Sequence, residues 1–333
     1  MVNALMVVGR NVEQFLTPDM RTELDQLVNL TDRNGEQLDE PAYANALKDA
    51  RAEIVITGWG APLLSKAVAA ANPQLKYMCN LTGGVRSMVA REVIAAGLTV
   101  TNWGTLIGPT VAEAALVGML SCLRRTTRVA FLMHEEKGWR QGSEKPVESL
   151  FYQTVGLHGF GNIARSLVRL LEPFECTVSA YDPYVPQDVF DRLGVKRVDD
   201  LKTLYAHNRI VSIHAPKIDA TYHVVDADIL SAMPDGGILV NTARGHIIDT
   251  DALVAELRTG RIMASLDVYE QEPLPPDAAL RGLLNCHLTP HTAGPTPDRY
   301  VDFGRAAIDN IGRYVRGEPL QHQVDERTYD LIT

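Results

Sequence analysis

The chain has 333 residues, with 32 Lys and Arg against 41 Asp and Glu for a formal net charge of −9. At about 150 residues per domain this length predicts two domains, and 46% hydrophobic against 22% charged residues excludes a disordered or fibrous chain. The acidic balance works against the phosphate attraction on which nucleic-acid binders rely, so no nucleic-acid partner is expected.

The opening residues lack the basic start of a secretion signal and read as a first strand at 4–8. Further β-rich runs follow at 53–57, 75–79 and 98–101, with helical segments at 18–28 and 62–71 between them, so that residues 1–101 read as one small α/β block. A helix is expected at 111–124, where Thr110 would cap and Glu113 would complete a capping box. The apolar stretch 111–123 falls short of the roughly 20 residues of a membrane span and carries Glu113, so no membrane partner is expected. A polar stretch at 134–146 has no hydrophobic period and reads as a long excursion. Strands at 154–158, 177–181, 210–213, 237–241, 263–266 and 286–288 then alternate with helical segments, enough for a complete doubly wound parallel sheet. A last helix at 296–316 lies after this series. The cysteines Cys79, Cys122, Cys176 and Cys286 form no CxxC pair, and a reduced, cytoplasmic, metal-free protein is the expectation.

The most informative local feature is Thr154-Val-Gly-Leu-His-Gly-Phe-Gly-Asn-Ile-Ala164, a strand leading through Gly159-x-Gly161-x-x-Ala164 into an amphipathic helix. Gly159 permits a tight turn, Gly161 leaves room for a pyrophosphate, and Ala164 lets helix and strand approach closely. The helix start at Asn162 and Ile163 would offer backbone N–H groups and a positive dipole end to phosphates. An ordinary glycine turn would look similar, but Asp182 ends the next strand, 21 residues beyond Gly161, where a dinucleotide fold places the acid that binds the adenosine ribose. A carboxylate there repels a 2′-phosphate, which favours NAD over NADP.

Three later segments each end a strand: Asn241-Thr-Ala-Arg-Gly-His-Ile-Ile-Asp249, Ser265-Leu-Asp-Val-Tyr-Glu-Gln-Glu-Pro273 and Leu288-Thr-Pro-His-Thr-Ala-Gly294. They deliver Arg244, Glu272 and His291 to the carboxyl ends of the strands, where open parallel sheets bind their ligands. Each residue alone also fits an ordinary surface role.

Taken together, these motifs resemble the D-isomer-specific 2-hydroxyacid dehydrogenases over about residues 50–320. The resemblance implies two Rossmann-like or flavodoxin-like α/β domains: a central NAD-binding domain at 102–291, and a discontinuous substrate domain from residues 1–101 and 292–333. It also implies a homodimer built around residues 120–150. By motif position His291 would be the acid/base, Glu272 its partner and Arg244 the substrate anchor. Asp267 would bind the nicotinamide carboxamide, and His214, Thr242 and Gly294 would line the cofactor site. Backbone N–H groups of Thr82, Gly83, Gly84 and Val85 would receive the substrate carboxylate.

These roles make chemical sense. Reducing a 2-oxo acid takes a hydride onto the carbonyl carbon and a proton onto its oxygen, and the nicotinamide supplies only the hydride. A histidine fixed by a carboxylate can give that proton or take it back, while an arginine can grip a carboxylate with a bidentate fork. The expected activity is therefore an NAD(H)-dependent interconversion of a small anionic 2-oxo acid and its D-2-hydroxy acid. An NADH-sensing binding module of the co-repressor type is the alternative, and an S-adenosylmethionine-dependent methyltransferase would leave Arg244, Glu272 and His291 unused.

The sequence departs from the family pattern at Tyr152-Gln153, at His158 inside the glycine turn, and at Ala114. Arg86 stands where the family commonly has Asp. A guanidinium there could bind a second anionic group of a phosphorylated, phosphono or dicarboxylic 2-oxo acid, or it could simply face solvent. Trp59 could shape the pocket or pack at a strand end.

Overall fold

Apolar β-forming runs become the buried strands of two parallel sheets in the computed structural model, which describes residues 1–139 and 146–330. Contacts divide the chain into one unit of Met1–Ile107 with Pro295–Thr333 and another of Gly108–Gly294. The joins thus fall later than the 101/102 and 291/292 positions read from sequence. Trp103 is the reason at the first join, because its ring packs on Phe303 and Trp59 and so belongs with the terminal unit.

The first unit holds β1 (Val2–Val7), β2 (Val28–Asp32), β3 (Ile54–Thr57), β4 (Tyr77–Asn80) and β5 (Thr99–Thr101), in the order β2-β1-β3-β4-β5. The second holds β6 (Thr154–His158), β7 (Thr177–Tyr181), β8 (Lys196–Arg197), β9 (Ile210–Ile213), β10 (Ile238–Asn241), β11 (Met263–Leu266) and β12 (Cys286–Leu288), in the order β12-β11-β10-β9-β6-β7-β8. Every residue of β3, β4, β9, β10 and β11 is buried. Helices therefore cover both faces, which is why these strands read as unbroken apolar runs and not as alternating ones. In the second sheet the order reverses between β6 and β9, and a doubly wound sheet opens its ligand crevice at the strand ends beside such a reversal.

Several elements differ from the sequence reading. The segment 28–32 forms edge strand β2, where only Val28 is fully buried, so its apolar signal is weak. Helix Lys66–Ala71 begins after position 62, because Leu64 bridges to Val89 and Ser65 caps the helix through the Val68 N–H. Helix Gly108–Leu123 already includes Thr110, which is therefore not its cap. The apolar run 104–123 proves long enough by composition to cross a membrane, contrary to the sequence estimate, and half of it is buried inside the protein. Its Ala112, Ala115, Met119 and Leu123 join the core that Val155, Leu157 and Leu167 build in the second unit. Helix Thr126–His134 takes the start of the polar stretch, and residues 140–145 of that excursion lie outside the described residues.

Helix Tyr300–Arg316 packs one apolar face into the core of the first unit through Phe303, Ala307, Ile308 and Ile311. Its contact with the segment at Phe15 is tight enough to demand glycine, since a Cβ on Gly304 would lie 1.8 Å from the Phe15 carbonyl oxygen. Alanine would gain about 1 kcal/mol of helix propensity, whereas overpacking against backbone costs about 1–3 kcal/mol or more. We therefore expect Gly304→Ala to lower the thermal unfolding midpoint measured by circular dichroism.

Candidate active site

In the second unit the chain leaves β6 through Gly159, at φ +93, a backbone conformation that favours glycine. A Cβ there would also lie 2.8 Å from the backbone at His214 and Ala215, so the turn is pressed against the end of β9. Phe160 is fully buried and stacks on Phe190, which anchors the turn from below. Gly161 has nothing within 4 Å of its missing side chain and directly precedes helix Asn162–Leu171. Ala164 is fully buried, as close helix packing requires.

Asp182 holds this turn in place. Its Oδ2 accepts the Phe160 N–H at 2.8 Å, and its Oδ1 accepts the N–H groups of Tyr184 and Val185 at 2.9 and 3.2 Å. The carboxylate thereby stands fixed beside the glycine turn. Nearby, His214 Nε2 and Thr242 Oγ1 are buried and have no hydrogen-bond partner among the described residues. Buried polar atoms are nearly always paired; Tyr43 Oη, Ser212 Oγ and His246 Nδ1 share this condition, but only His214 and Thr242 directly follow β9 and β10 at the strand ends beside the glycine turn. An open glycine cradle, a helix start, a fixed acid and two orphaned polar atoms fit a dinucleotide.

His158 fits differently. It is buried in β6 with Nδ1 3.2 Å from the Tyr205 hydroxyl, and burial pushes its pKa down to about 4 against a small opposing pull from Asp182. Burial, with His158 adding to it, pushes His214 down to about 3. Both rings are neutral at physiological pH.

The catalytic candidates are built by strand-end loops of the same unit. After β10, the buried Asn241 accepts the Ala243 N–H and donates to the Arg244 carbonyl, each at 2.9 Å, which sets the backbone at Arg244. Gly245 follows, and a Cβ on it would sit 1.9 Å from the Tyr269 carbonyl carbon, so the segment carrying Arg244 lies flush on the one carrying Glu272. Glu272 Oε1 accepts the Tyr269 N–H at 2.9 Å, and its Oε2 lies 2.6 Å from His291 Nδ1. Burial alone would raise the Glu272 pKa. Hydrogen bonds from His291 and the Tyr269 N–H, with the charges of His291 and Arg244, outweigh burial and lower it. With Nδ1 bound to the carboxylate, Nε2 is the ring atom left to exchange a proton.

His291 has φ +54, in the left-handed region that non-glycine residues adopt at a cost of about 1–3 kcal/mol. Asp267, buried at the end of β11, holds it there. The Asp267 carbonyl accepts the His291 N–H at 2.9 Å. Its Oδ1 accepts from the Thr289 hydroxyl at 2.5 Å and the Thr292 N–H at 2.8 Å, and its Oδ2 accepts the Ala293 N–H at 2.8 Å. Most of its accepting capacity is thus spent on residues 289–293, a use that sequence did not foresee. The cue lay in the threonines that flank the Pro-His pair. Gly294 closes the loop at φ +149.

The other predicted residues lie in the first unit. Thr82, Gly83, Gly84 and Val85 form a loop after β4, and a Cβ on Gly83 would strike the Trp103 ring at 2.3 Å. Arg86 is exposed, with its guanidinium donating to the carbonyls of Tyr329 and Asp330. Trp59 packs edge-on to Phe15, Trp103 and Tyr300, with ring centres 5.5–6.2 Å away, so its observed contacts are packing contacts at a strand end. Sequence reasoning missed Asn80 and Asn102, whose side-chain amides bind the carbonyls of this loop.

Known proteins are similar to this chain in sequence and fold. A profile described as the D-isomer specific 2-hydroxyacid dehydrogenase, NAD binding domain, matches residues 116–293. The chain is 34% identical over 292 residues to (S)-sulfolactate dehydrogenase of Chromohalobacter salexigens, covering 80% of this chain and 89% of that one. It is also 34% identical over 245 residues to hydroxypyruvate reductase of Thermotoga maritima, covering 72% and 78% respectively. A phosphoglycerate oxidoreductase from Rhizobium etli shares the fold, with a TM-score of 0.83 at 22% identity over 98% of this chain and 99% of that one.

Two outcomes follow from the site. Below about pH 6.5 the unfolded chain protonates His158 while the fold keeps it neutral down to about 4, so its contribution to stability is lost as pH falls across that window. In His158→Leu the unfolding midpoint should fall less steeply with pH between 6.5 and 4 than in the wild type, whatever the offset from losing the Tyr205 contact. Asp267→Asn would turn an amide donor toward a backbone N–H. Single-turnover measurements should show slowed chemistry, by roughly 100-fold if about 3 kcal/mol of hydrogen bonding to a charged group is lost.

Proposed function

The chain belongs to the D-isomer-specific 2-hydroxyacid dehydrogenases and is an NAD-dependent oxidoreductase, and from that premise we propose that it interconverts a small 2-oxo acid and its D-2-hydroxy acid. The observation that carries this reading is the 2.6 Å contact between His291 Nδ1 and Glu272, with Asn241 and Gly245 setting Arg244 on the adjoining segment.

NADH, when bound, supplies the hydride. Gly159, Gly161, Asn162 and Ile163 would seat its pyrophosphate, Asp182 its adenosine ribose, and His214, Thr242, Asp267 and Gly294 would line its nicotinamide end. His291 Nε2 gives a proton to the substrate oxygen in reduction and takes it back in oxidation. Glu272 fixes the ring and stabilises the imidazolium that exists between proton transfers. Arg244 polarises the substrate carbonyl and anchors the carboxylate beside it. A proton-transferring pair with an arginine beside it is chemistry that an NADH-sensing binding module does not need.

The homodimer contact is proposed for helix Thr126–His134 and its neighbours, where Val129, Phe131, Met133, Val147 and Phe151 are exposed.

The test is NADH oxidation followed at 340 nm across a panel of 2-oxo acids, with chiral analysis of the product. His291→Ala should lower kcat by about 10²–10⁴ while NADH still binds by fluorescence titration. Glu272→Gln should lower kcat far more than it raises KM. An unaltered rate in His291→Ala would falsify the assignment.

A further inference from the structure

Tyr269 touches both of the loops that carry Glu272 and His291, and it and its partners all belong to the unit Gly108–Gly294. Its backbone N–H donates to Glu272 Oε1 at 2.9 Å, which leaves Oε2 for the 2.6 Å contact with His291 Nδ1. Its side chain serves the other loop. The hydroxyl donates to the Thr289 carbonyl at 2.8 Å, and the Leu266 carbonyl at 3.1 Å shares the same proton.

Those two carbonyls govern the turn that presents His291. The Thr289 carbonyl also accepts the His291 N–H at 3.1 Å, and the Leu266 carbonyl also accepts the Thr289 N–H at 3.0 Å. The tyrosine proton therefore falls where β11 ends and the chain leaves β12, on the same oxygen that closes the backbone at His291. With His291 at φ +54, that backbone is one the surrounding contacts must hold in place. Burial, reinforced by Cys286 and Asp267, pushes the Tyr269 hydroxyl up to about 12, so it remains protonated and a donor at physiological pH.

The backbone from which this side chain extends is itself clamped. The Tyr269 carbonyl carbon would lie 1.9 Å from a Cβ on Gly245, so it packs flush on the loop after β10. The next residue, Glu270, pairs with His223 Nε2 on the loop after β9 and accepts from the Thr250 side chain at the start of helix Thr250–Arg258. A tyrosine has two χ angles to fix, and on a backbone held from both sides it makes a stiff strut.

We infer that Tyr269 is a positioning residue: it holds Glu272 by its backbone and the turn at His291 by its hydroxyl, and so sets the separation at which those two side chains meet. It acts through the pair and not on the reacting atoms. Its catalytic consequence rests on the acid/base reading above. Without the hydroxyl the Thr289 carbonyl loses one of its two donors, the turn at 289–293 slackens, and the His291–Glu272 contact lengthens. That change falls on the proton transfer, which depends on hydrogen-bond reach, and leaves substrate and cofactor binding in place.

The experiment is Tyr269→Phe in the full chain, which removes the hydroxyl and keeps both the ring and the backbone N–H that binds Glu272. The single-turnover rate of 2-oxo acid reduction by NADH should fall by about 3- to 10-fold, the rate equivalent of one neutral hydrogen bond. KM and NADH affinity should stay within about twofold of the wild type. In a Glu272→Gln background the same substitution should change the rate by less than about twofold, because the contact it serves is already lost. The low-field Nδ1–H proton resonance of His291 should move upfield in Tyr269→Phe, a readout that needs no turnover. Equal losses in the two backgrounds, an unaltered rate or an unmoved resonance overturns the positioning role and leaves the reaction class standing. A wild type that reduces no 2-oxo acid, with a resonance that still moves in Tyr269→Phe, overturns the reaction class and supports the positioning role.

Discussion

The Asp267 carboxylate is the interaction on which the rest of the site depends. It is buried at the end of β11, and it draws the Thr289 hydroxyl and the N–H groups of Thr292 and Ala293 onto itself. Hydrogen bonds to an ionised acceptor are about twice as strong as neutral ones, and here three of them bend one short segment around a single side chain. The segment carries His291 in a left-handed conformation that its own side chain disfavours. The His291 N–H is held as well by the carbonyls of Asp267 and Thr289 at 2.9 and 3.1 Å, and from that conformation the ring meets Glu272.

A second constraint couples the remaining groups. Gly245 lies flush against the backbone at Tyr269 and Glu270, so the loops after β10 and β11 form one packed object. Arg244 precedes that contact by one residue, and the Tyr269 N–H binds Glu272 directly. Asn241 fixes the first loop from below. His291, Glu272 and the backbone at Arg244 are therefore positioned by contacts that tolerate little movement, which is what the proposed proton transfer over hydrogen-bond distance would require.

Much of this was legible in sequence, because the chemistry restricts residue choice at fixed positions. The glycine turn shows in the spacing of Gly159, Gly161 and Ala164, and the later strands show as apolar runs because both faces of the sheet are covered. Arg244, Glu272 and His291 stood out as charged residues at strand ends. What remained hidden depends on partners distant in the chain. β2 is an edge strand with little buried surface, so its pattern was too weak to be read as a strand after the helix expected at 18–28. Thr110 looks like a cap, but the helix begins at Gly108, where a Cβ would strike the Asn162 amide at 2.4 Å, a constraint invisible without the neighbouring helix. Asn80 and Asn102 shape the loop at 82–85 through side-chain bonds to its carbonyls, and no local motif announces them. The partners of Arg86 lie more than 240 residues further along the chain.

The two neutral histidines sharpen the electrostatics of the glycine turn. An imidazolium beside a pyrophosphate would attract it strongly, yet burial keeps His158 and His214 uncharged across the physiological range, with values of about 4 and about 3. In the proposed function the attraction for phosphate would come from fixed dipoles at the start of helix Asn162–Leu171. Those dipoles do not titrate. His214 instead keeps Nε2 available as a neutral polar atom without a protein partner, beside Thr242 Oγ1 in the same condition. In a chain with a net charge of −9, this arrangement separates two tasks. On the proposed reading, the glycine turn would meet a phosphate with groups that carry no titrating charge, while the charged side chains lie elsewhere, at the His291–Glu272 contact.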